Sequence, residues 1–284
     1  MDLSGVLFFP VTPFDADGRV AEGVLAEHVR GGLAHGPGAV FAACGTGEFS
    51  SLSEEEHARV VAVAAEQTAG RVPLFAGAGG PLGAALRHAR TAREAGADGV
   101  LLLPPAGRGP RYADYVRAVA AEGVPVILYA RDHLVLSPRE VLTLAGIPGV
   151  VGLKDGVGDI DLTQRIVRAM DGRDFTFFNG LPTAELTMPA YRAIGVGLYS
   201  SAVFAFAPEI AVAYRQGNER LLSEFYVPLV ELRSKVPGYA VSLVKAGVRL
   251  RGLDAGPVRP PLADLAPDHL AELDRLIKIG LELT

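Results

Sequence analysis

Eight short apolar runs recur along the chain, each separated from the next by a longer stretch of helical period. They cover residues 5–10, 39–43, 73–76, 99–103, 125–129, 150–153, 175–178 and 196–199. A run that is apolar at every position, rather than at every second one, suits a strand buried on both faces of a parallel sheet. Between the runs the spacing predicts helices near 21–35, 57–69, 83–95, 113–121, 138–145, 160–170 and 183–194. The best-marked start is Ser53-Glu54-Glu55-Glu56, a capping box ahead of the second helix. Eight strand-then-helix units of about 20–30 residues is the spacing of a (β/α)8 TIM barrel, whereas a doubly wound sheet uses about five or six strands. After about Ser201 the strand signal stops, and 207–216, 219–235, 239–251 and 264–283 have helical period. We therefore expect an α/β fold: a catalytic barrel over residues 1–205 and a C-terminal helical extension over 206–284. No linker composition separates the two, so they should pack as one unit.

Composition narrows the function. A chain that is 49% hydrophobic and 21% charged is neither disordered nor a coiled coil. A net charge of −5 without Lys/Arg blocks argues against nucleic acid or an anionic membrane as partner. The single cysteine, Cys44, leaves no intrachain disulfide and no cysteine-cluster metal site. No basic-then-apolar leader opens the sequence and no apolar run is long enough to span a bilayer, so a soluble cytoplasmic protein is expected. The six histidines are scattered, and H-E-x-x-H, G-x-x-x-x-G-K-[ST] and a G-x-G-x-x-G after the first strand are all missing. Neither a metal nor a nucleotide cofactor is expected.

In such barrels the chemistry sits at the C-terminal ends of the strands. The chain has four lysines, and three of them (Lys235, Lys245 and Lys278) fall in helical segments where a solvated ammonium is routine. Lys154 instead ends an apolar strand, in Val150-Val151-Gly152-Leu153-Lys154-Asp155. Burial there would lower its pKa and make it an amine nucleophile toward a ketone; the alternative is a lysine paired with Asp155 or Asp159. Tyr129 ends the preceding strand, about 5 Å away across the sheet, as a proton shuttle or as a core tyrosine. Gly45-Thr46-Gly47-Glu48 could cradle an anion through backbone N–H groups and the Thr46 hydroxyl, or be a plain turn. Ser200 and Ser201 offer hydroxyls at the eighth strand end, or cap a helix. Arg131 could clamp a carboxylate, or be solvated at the rim.

Taken in order, Pro10-Val11-Thr12-Pro13-Phe14, Gly45-Thr46-Gly47-Glu48-Phe49, Leu101-Leu102-Leu103-Pro104-Pro105, Tyr129 and Gly152-Leu153-Lys154-Asp155 resemble the dihydrodipicolinate synthase/N-acetylneuraminate lyase family. Further motifs extend the likeness to nearly the whole chain: Gly180-Leu181-Pro182-Thr183-Ala184-Glu185, Gly238-Tyr239-Ala240-Val241-Ser242-Leu243-Val244-Lys245-Ala246-Gly247 and Ala255-Gly256-Pro257-Val258-Arg259. The resemblance implies a barrel enzyme that forms a covalent imine between Lys154 and a 2-keto acid, with no other cofactor. It further implies a small-molecule keto-sugar-acid substrate and a homotetramer built as a dimer of dimers. Thr46 with the Gly45–Gly47 backbone would hold the carboxylate beside the keto group, and Tyr129 would relay protons. Arg131, Thr183, Ser200 and Ser201 would hold the distal polar end. The closer likeness is to members that expel a β-hydroxyl and then CO2.

Five positions depart from the family pattern: Cys44, Ser50, Ala106, Ala130 and His133. Ala106 stands where a tyrosine is common, and in related synthases a tyrosine of that region serves the neighbouring subunit's proton relay; Tyr112 or Tyr115 could substitute. The departures leave imine chemistry intact and bear on the substrate. Two readings compete with the decarboxylating dehydratase: another 2-keto-acid aldolase or synthase, and an inactive sugar-acid-binding barrel. Retention of both Tyr129 and Lys154 argues against the last.

Overall fold

The computed structural model describes Leu3 and residues 5–107 and 109–284. Eight parallel strands close into a barrel in sequence order, each pairing with the next and β1 with β8. They are β1 (Val6–Phe8), β2 (Ala39–Ala42), β3 (Leu74–Ala78), β4 (Gly99–Leu102), β5 (Val126–Ala130), β6 (Val150–Asp155), β7 (Thr176–Asn179) and β8 (Leu198–Ser201). All eight overlap the apolar runs. The main differences lie at the C-terminal ends, where β6 runs on through Lys154 and Asp155 and β8 through both serines. Chemistry-bearing residues therefore belong to the strands themselves, and inter-strand hydrogen bonds fix their positions.

The eight helices that follow the strands are α1 (Glu22–Leu33), α2 (Glu54–Thr68), α3 (Leu82–Glu94), α4 (Tyr112–Ala120), α5 (Pro138–Ala145), α6 (Ile160–Ala169), α7 (Met188–Ala193) and α8 (Pro208–Arg215). The capping box is present: Glu56 N donates to Ser53 Oγ at 3.2 Å and Ser53 N to Glu56 Oε2 at 2.9 Å. The helix expected over 183–194 is instead split into a 3₁₀ turn, Ala184–Thr187, and α7. The cause is Pro189, which has no N–H to give the Glu185 carbonyl. Tyr214 Oη, from α8, donates to that carbonyl at 2.8 Å.

Strand alternation sorts side chains into two layers. One points outward against the helices; the other fills the barrel with Leu7, Phe9, Phe41, Phe75, Leu101, Ile127, Tyr129 and Phe178. Phe41 stacks on Phe9 at 4.6 Å and on Phe75 at 4.7 Å between ring centroids. This plug of rings is the floor on which the site is built. Beyond α8 come a π-helical segment (Leu222–Tyr226), α9 (Val227–Ser234), α10 (Tyr239–Leu250) and α11 (Pro267–Glu282). Helix α11 starts three residues later than the spacing predicts, because Pro267 takes its first turn. Among the described residues, no helix is long and apolar enough to cross a membrane.

Candidate active site

Lys154 lies in register with Tyr129 of β5 on one side and Phe178 of β7 on the other. Its side chain points into the barrel mouth and is 6% exposed. Nζ sits 4.1 Å from the centroid of the Phe9 ring and 4.4 Å from that of Tyr129. Gly180 lies against the lysine stem: a Cβ there would clash with Lys154 Cγ and Cε, so a larger residue would displace the lysine. No carboxylate lies within 4.0 Å of Nζ among the described residues.

The alternation explains why. Asp155, one residue on, faces the helix layer, where it accepts hydrogen bonds from Tyr191 Oη, Thr163 Oγ1 (2.8 Å) and Val157 N (2.9 Å). Asp159 caps α6, accepting from Leu162 N at 3.0 Å. Neither acid pairs with Lys154. Burial, with little to oppose it, pulls the Lys154 pKa down to about 7. The Cys44 thiol nearby is itself pushed up to about 12 by burial, so it stays protonated and supplies no counter-charge at neutral pH.

Tyr129 is buried, and its hydroxyl donates to Gly180 O at 3.3 Å. Burial raises its pKa against the opposing pull of Arg131, so the phenol keeps its proton and stands ready as a donor. Lys154, Tyr129, Gly45, Thr46, Arg131, Thr183, Ser200 and Ser201 line one cavity at the C-terminal mouth of the barrel. Gly47 alone of the expected residues stays out of the lining. It is buried behind the loop, where its carbonyl accepts from Thr12 Oγ1 at 2.7 Å. Gly45–Gly47 forms a 3₁₀ turn, and the leading N–H groups of such a turn have no acceptor within it.

The cavity wall holds features that local sequence patterns do not reveal. Helices α9 and α10 of the extension close one side, contributing Arg233 and Val241 among others. Lys245 on α10 is fully buried, contrary to the solvated role expected of it, with Nζ 2.7 Å from Glu48 Oε1. Arg259 N donates to Glu48 Oε2 at 2.8 Å, and the Arg259 guanidinium pairs with Glu56 at 2.5 Å. Glu48 has a left-handed backbone (φ 56°), as do Ala43, Asp132 and Thr183, all at strand-end loops. Strain of this kind persists only where surroundings hold it, and it gathers at functional sites. Behind Ser201, the fully buried Glu185 accepts its hydroxyl at 2.5 Å and is pushed up to about 7 by burial. Ser201 also caps the following turn, accepting from Phe204 N at 3.1 Å.

The five departures from the family pattern do not cluster on the cavity. None of Cys44, Ser50, Ala106, Ala130 and His133 lines it; His133 accompanies Pro105 O at 2.9 Å, and Ala130 O accepts from Gly156 N at 2.7 Å. Nor does Tyr112 or Tyr115 line it within one chain, the Tyr115 hydroxyl donating to Gly80 O at 3.0 Å.

A closed parallel barrel with an uncompensated buried lysine beside a strand-end tyrosine is the arrangement of a Schiff-base lyase, and the family follows. The chain belongs to the dihydrodipicolinate synthetase family, whose model matches residues 2–280. It is 54% identical to a Streptomyces coelicolor protein named "Probable 5-dehydro-4-deoxyglucarate dehydratase 1", over 98% of this chain and 93% of that one. A Streptomyces griseus protein named "Probable 5-dehydro-4-deoxyglucarate dehydratase" is 52% identical over 99% of this chain and 93% of its own. Among solved structures, dihydrodipicolinate synthase from Oceanobacillus iheyensis superposes with a TM-score of 0.87 at 26% identity, covering 97% of this chain and 96% of that one.

Proposed function

We propose that the chain is a Schiff-base hydro-lyase that converts 5-dehydro-4-deoxyglucarate to 2,5-dioxopentanoate, CO2 and water. The observation that carries the chemistry is Lys154, buried among aromatic rings with no carboxylate in reach and a pKa of about 7. The likeness to the two dehydratases supports the substrate.

The Lys154 amine attacks the keto carbon, and loss of water gives an iminium. Thr46 and the Gly45–Gly47 backbone hold the adjacent carboxylate, and Tyr129 moves protons to and from the carbinolamine. Withdrawal toward the iminium acidifies the neighbouring methylene; its proton is removed, and the β-hydroxyl leaves with its bonding electrons and takes up a proton to depart as water. The conjugated iminium then accepts the electron pair of the bond to the distal carboxylate, which departs as CO2. Reprotonation and hydrolysis free the product and Lys154. Arg131, Thr183, Ser200 and Ser201 line the side available to the polar tail. No cofactor besides the imine enters this scheme, and the family resemblance implies a homotetramer.

Borohydride reduction in the presence of pyruvate should add mass at Lys154 and at no other lysine. The wild-type protein should also release CO2 from 5-dehydro-4-deoxyglucarate. An adduct at Lys245, or turnover without any adduct, overturns the imine. An adduct at Lys154 without CO2 release returns the chain to the aldolases and synthases.

A further inference from the structure

Two arginines line the cavity, and they differ in what already satisfies them. Arg131 stands at the rim with its side chain 42% exposed, and its Nε lies 3.3 Å from Asp132 Oδ2. Arg233 is half-buried on α9, and its Nη1 donates to Thr183 Oγ1 at 2.5 Å. No carboxylate lies within 4.0 Å of Arg233 among the described residues. The nearest acid influence is Glu185, which is occupied by Ser201 and held partly neutral by burial. A guanidinium has five N–H donors in a planar fork, and a carboxylate fills two of them at once. With Thr183 as its one neutral protein partner, this half-buried guanidinium has donors left to offer, and a ligand carboxylate in the cavity would take two of them at once.

We infer that Arg233, oriented by Thr183, binds the distal carboxylate of the substrate, and that preference for a keto diacid over a keto monoacid comes from the C-terminal extension. This rests on the reading of the cavity as a Schiff-base site for a diacid. Arg131 already has Asp132 at 3.3 Å and the Tyr129 ring beside it. The interaction belongs chiefly to binding: as the C–C bond to the distal carboxylate breaks, its negative charge passes into the iminium and away from the arginine. Loss of Arg233 therefore falls on KM more than on kcat.

The test uses borohydride trapping at Lys154 with three probes: 2-oxoadipate, 2-oxohexanoate and pyruvate. The first two share a six-carbon 2-keto-acid chain, and only 2-oxoadipate has a distal carboxylate. Arg233→Gln should raise the half-saturating concentration of 2-oxoadipate about 10- to 150-fold, the range for a lost charge-assisted hydrogen bond. It should leave 2-oxohexanoate and pyruvate unchanged. Arg233→Lys, which keeps charge without the fork, should fall between. Arg131→Gln, beside Tyr129 and Lys154, should act on all three probes alike and leave the ratio of 2-oxoadipate to 2-oxohexanoate affinity within about fivefold of wild type. The inference is overturned if Arg233→Gln shifts all three probes equally, as a structural role would, if it shifts none, or if Arg131→Gln takes the loss. CO2 release from 5-dehydro-4-deoxyglucarate by the wild type is read separately, so failure of the substrate assignment is distinguishable from failure of Arg233 as the clamp.

Discussion

Lys154 and Lys245 are both buried, 6% and 0% exposed, and each ammonium lies over a phenyl face, Phe9 at 4.1 Å and Phe14 at 4.0 Å. What separates them is a carboxylate. Lys245 has Glu48 at 2.7 Å; Lys154 has none within 4.0 Å among the described residues. Burial lowers both pKa values. At Lys245 the Glu48 hydrogen bond and charge oppose the shift, while at Lys154 nothing of that size does, and it reaches about 7. Desolvation makes an amine reactive only when the counter-charge is withheld. Supplied with one, the same residue type becomes a strut. This strut fixes Glu48, and Glu48 ends the turn whose Gly45 and Thr46 line the site.

Exchanging each lysine for methionine should therefore give opposite phenotypes. Lys154→Met abolishes the borohydride adduct, yet leaves stability at pH 7 equal or higher, because no ammonium then has to be buried or deprotonated on folding. Lys245→Met keeps an adduct-competent Lys154 but leaves the buried Glu48 without a cation, held only by the Arg259 N–H. The expected loss is about 3–5 kcal/mol in denaturant unfolding, much of it recovered by adding Glu48→Gln. The sign of the pH dependence follows from Lys154: its folded value, about 7, lies below its ordinary 10.5. Between those values the unfolded chain binds the extra proton, so the penalty is complete below about pH 7 and fades as pH rises toward 10.5. The stability gap between wild type and Lys154→Met should be widest in acid and closed near pH 10.5. Equal losses for the two lysine variants would break the contrast.

Tyr129→Phe sharpens the chemical half of the comparison. The ring that flanks Lys154 at 4.4 Å remains and only the hydroxyl goes, so the amine keeps its environment while the proton relay is removed. We expect kcat to fall about 10²–10⁴-fold while the fold survives, at a cost of about 1 kcal/mol for the lost bond to Gly180 O. Turnover like wild type in the folded variant would make Tyr129 a core tyrosine.

The two lysines also mark what the sequence makes legible. Lys154 stands out because one apolar run ends on it, a local pattern; the eight strands were readable for the same reason. The choice between a free lysine and one paired with Asp155 was open in the sequence, and a period of two residues decides it by sending Asp155 to the other face. Lys245 looked like a solvated helical lysine because its partner is 197 positions away, and no local period encodes so distant a contact. Arg233 is hidden likewise: it sits in an unremarkable helical stretch, and only the packing of α9 over the barrel mouth turns it toward Thr183. The expectation that the family departures gather around substrate failed for a related reason. Ala130 ends β5 one residue past Tyr129 and so faces the helix layer, while Cys44 is buried beside Lys154 but beneath the cavity surface.

The smallest effect concerns the rings. A phenyl face attracts an ammonium by about 0.5–2 kcal/mol, and 1.36 kcal/mol corresponds to about one pKa unit. Phe9→Leu removes the nearer of the two rings closest to Lys154 and keeps the site apolar, so the ammonium loses attraction while desolvation persists. The midpoint of pyruvate trapping against pH should move down from about 7 by roughly 0.4–1.5 units. The variant should then form the imine faster than wild type near pH 6 and at the same rate near pH 9. Phe14→Leu removes the matching ring from Lys245, where Glu48 supplies the larger attraction. It should leave the trapping midpoint in place and register only in unfolding. An upward shift for Phe9→Leu would mean that the ring acts on Lys154 by excluding water rather than by attracting its charge, and the pKa of the nucleophile would then be set by burial alone.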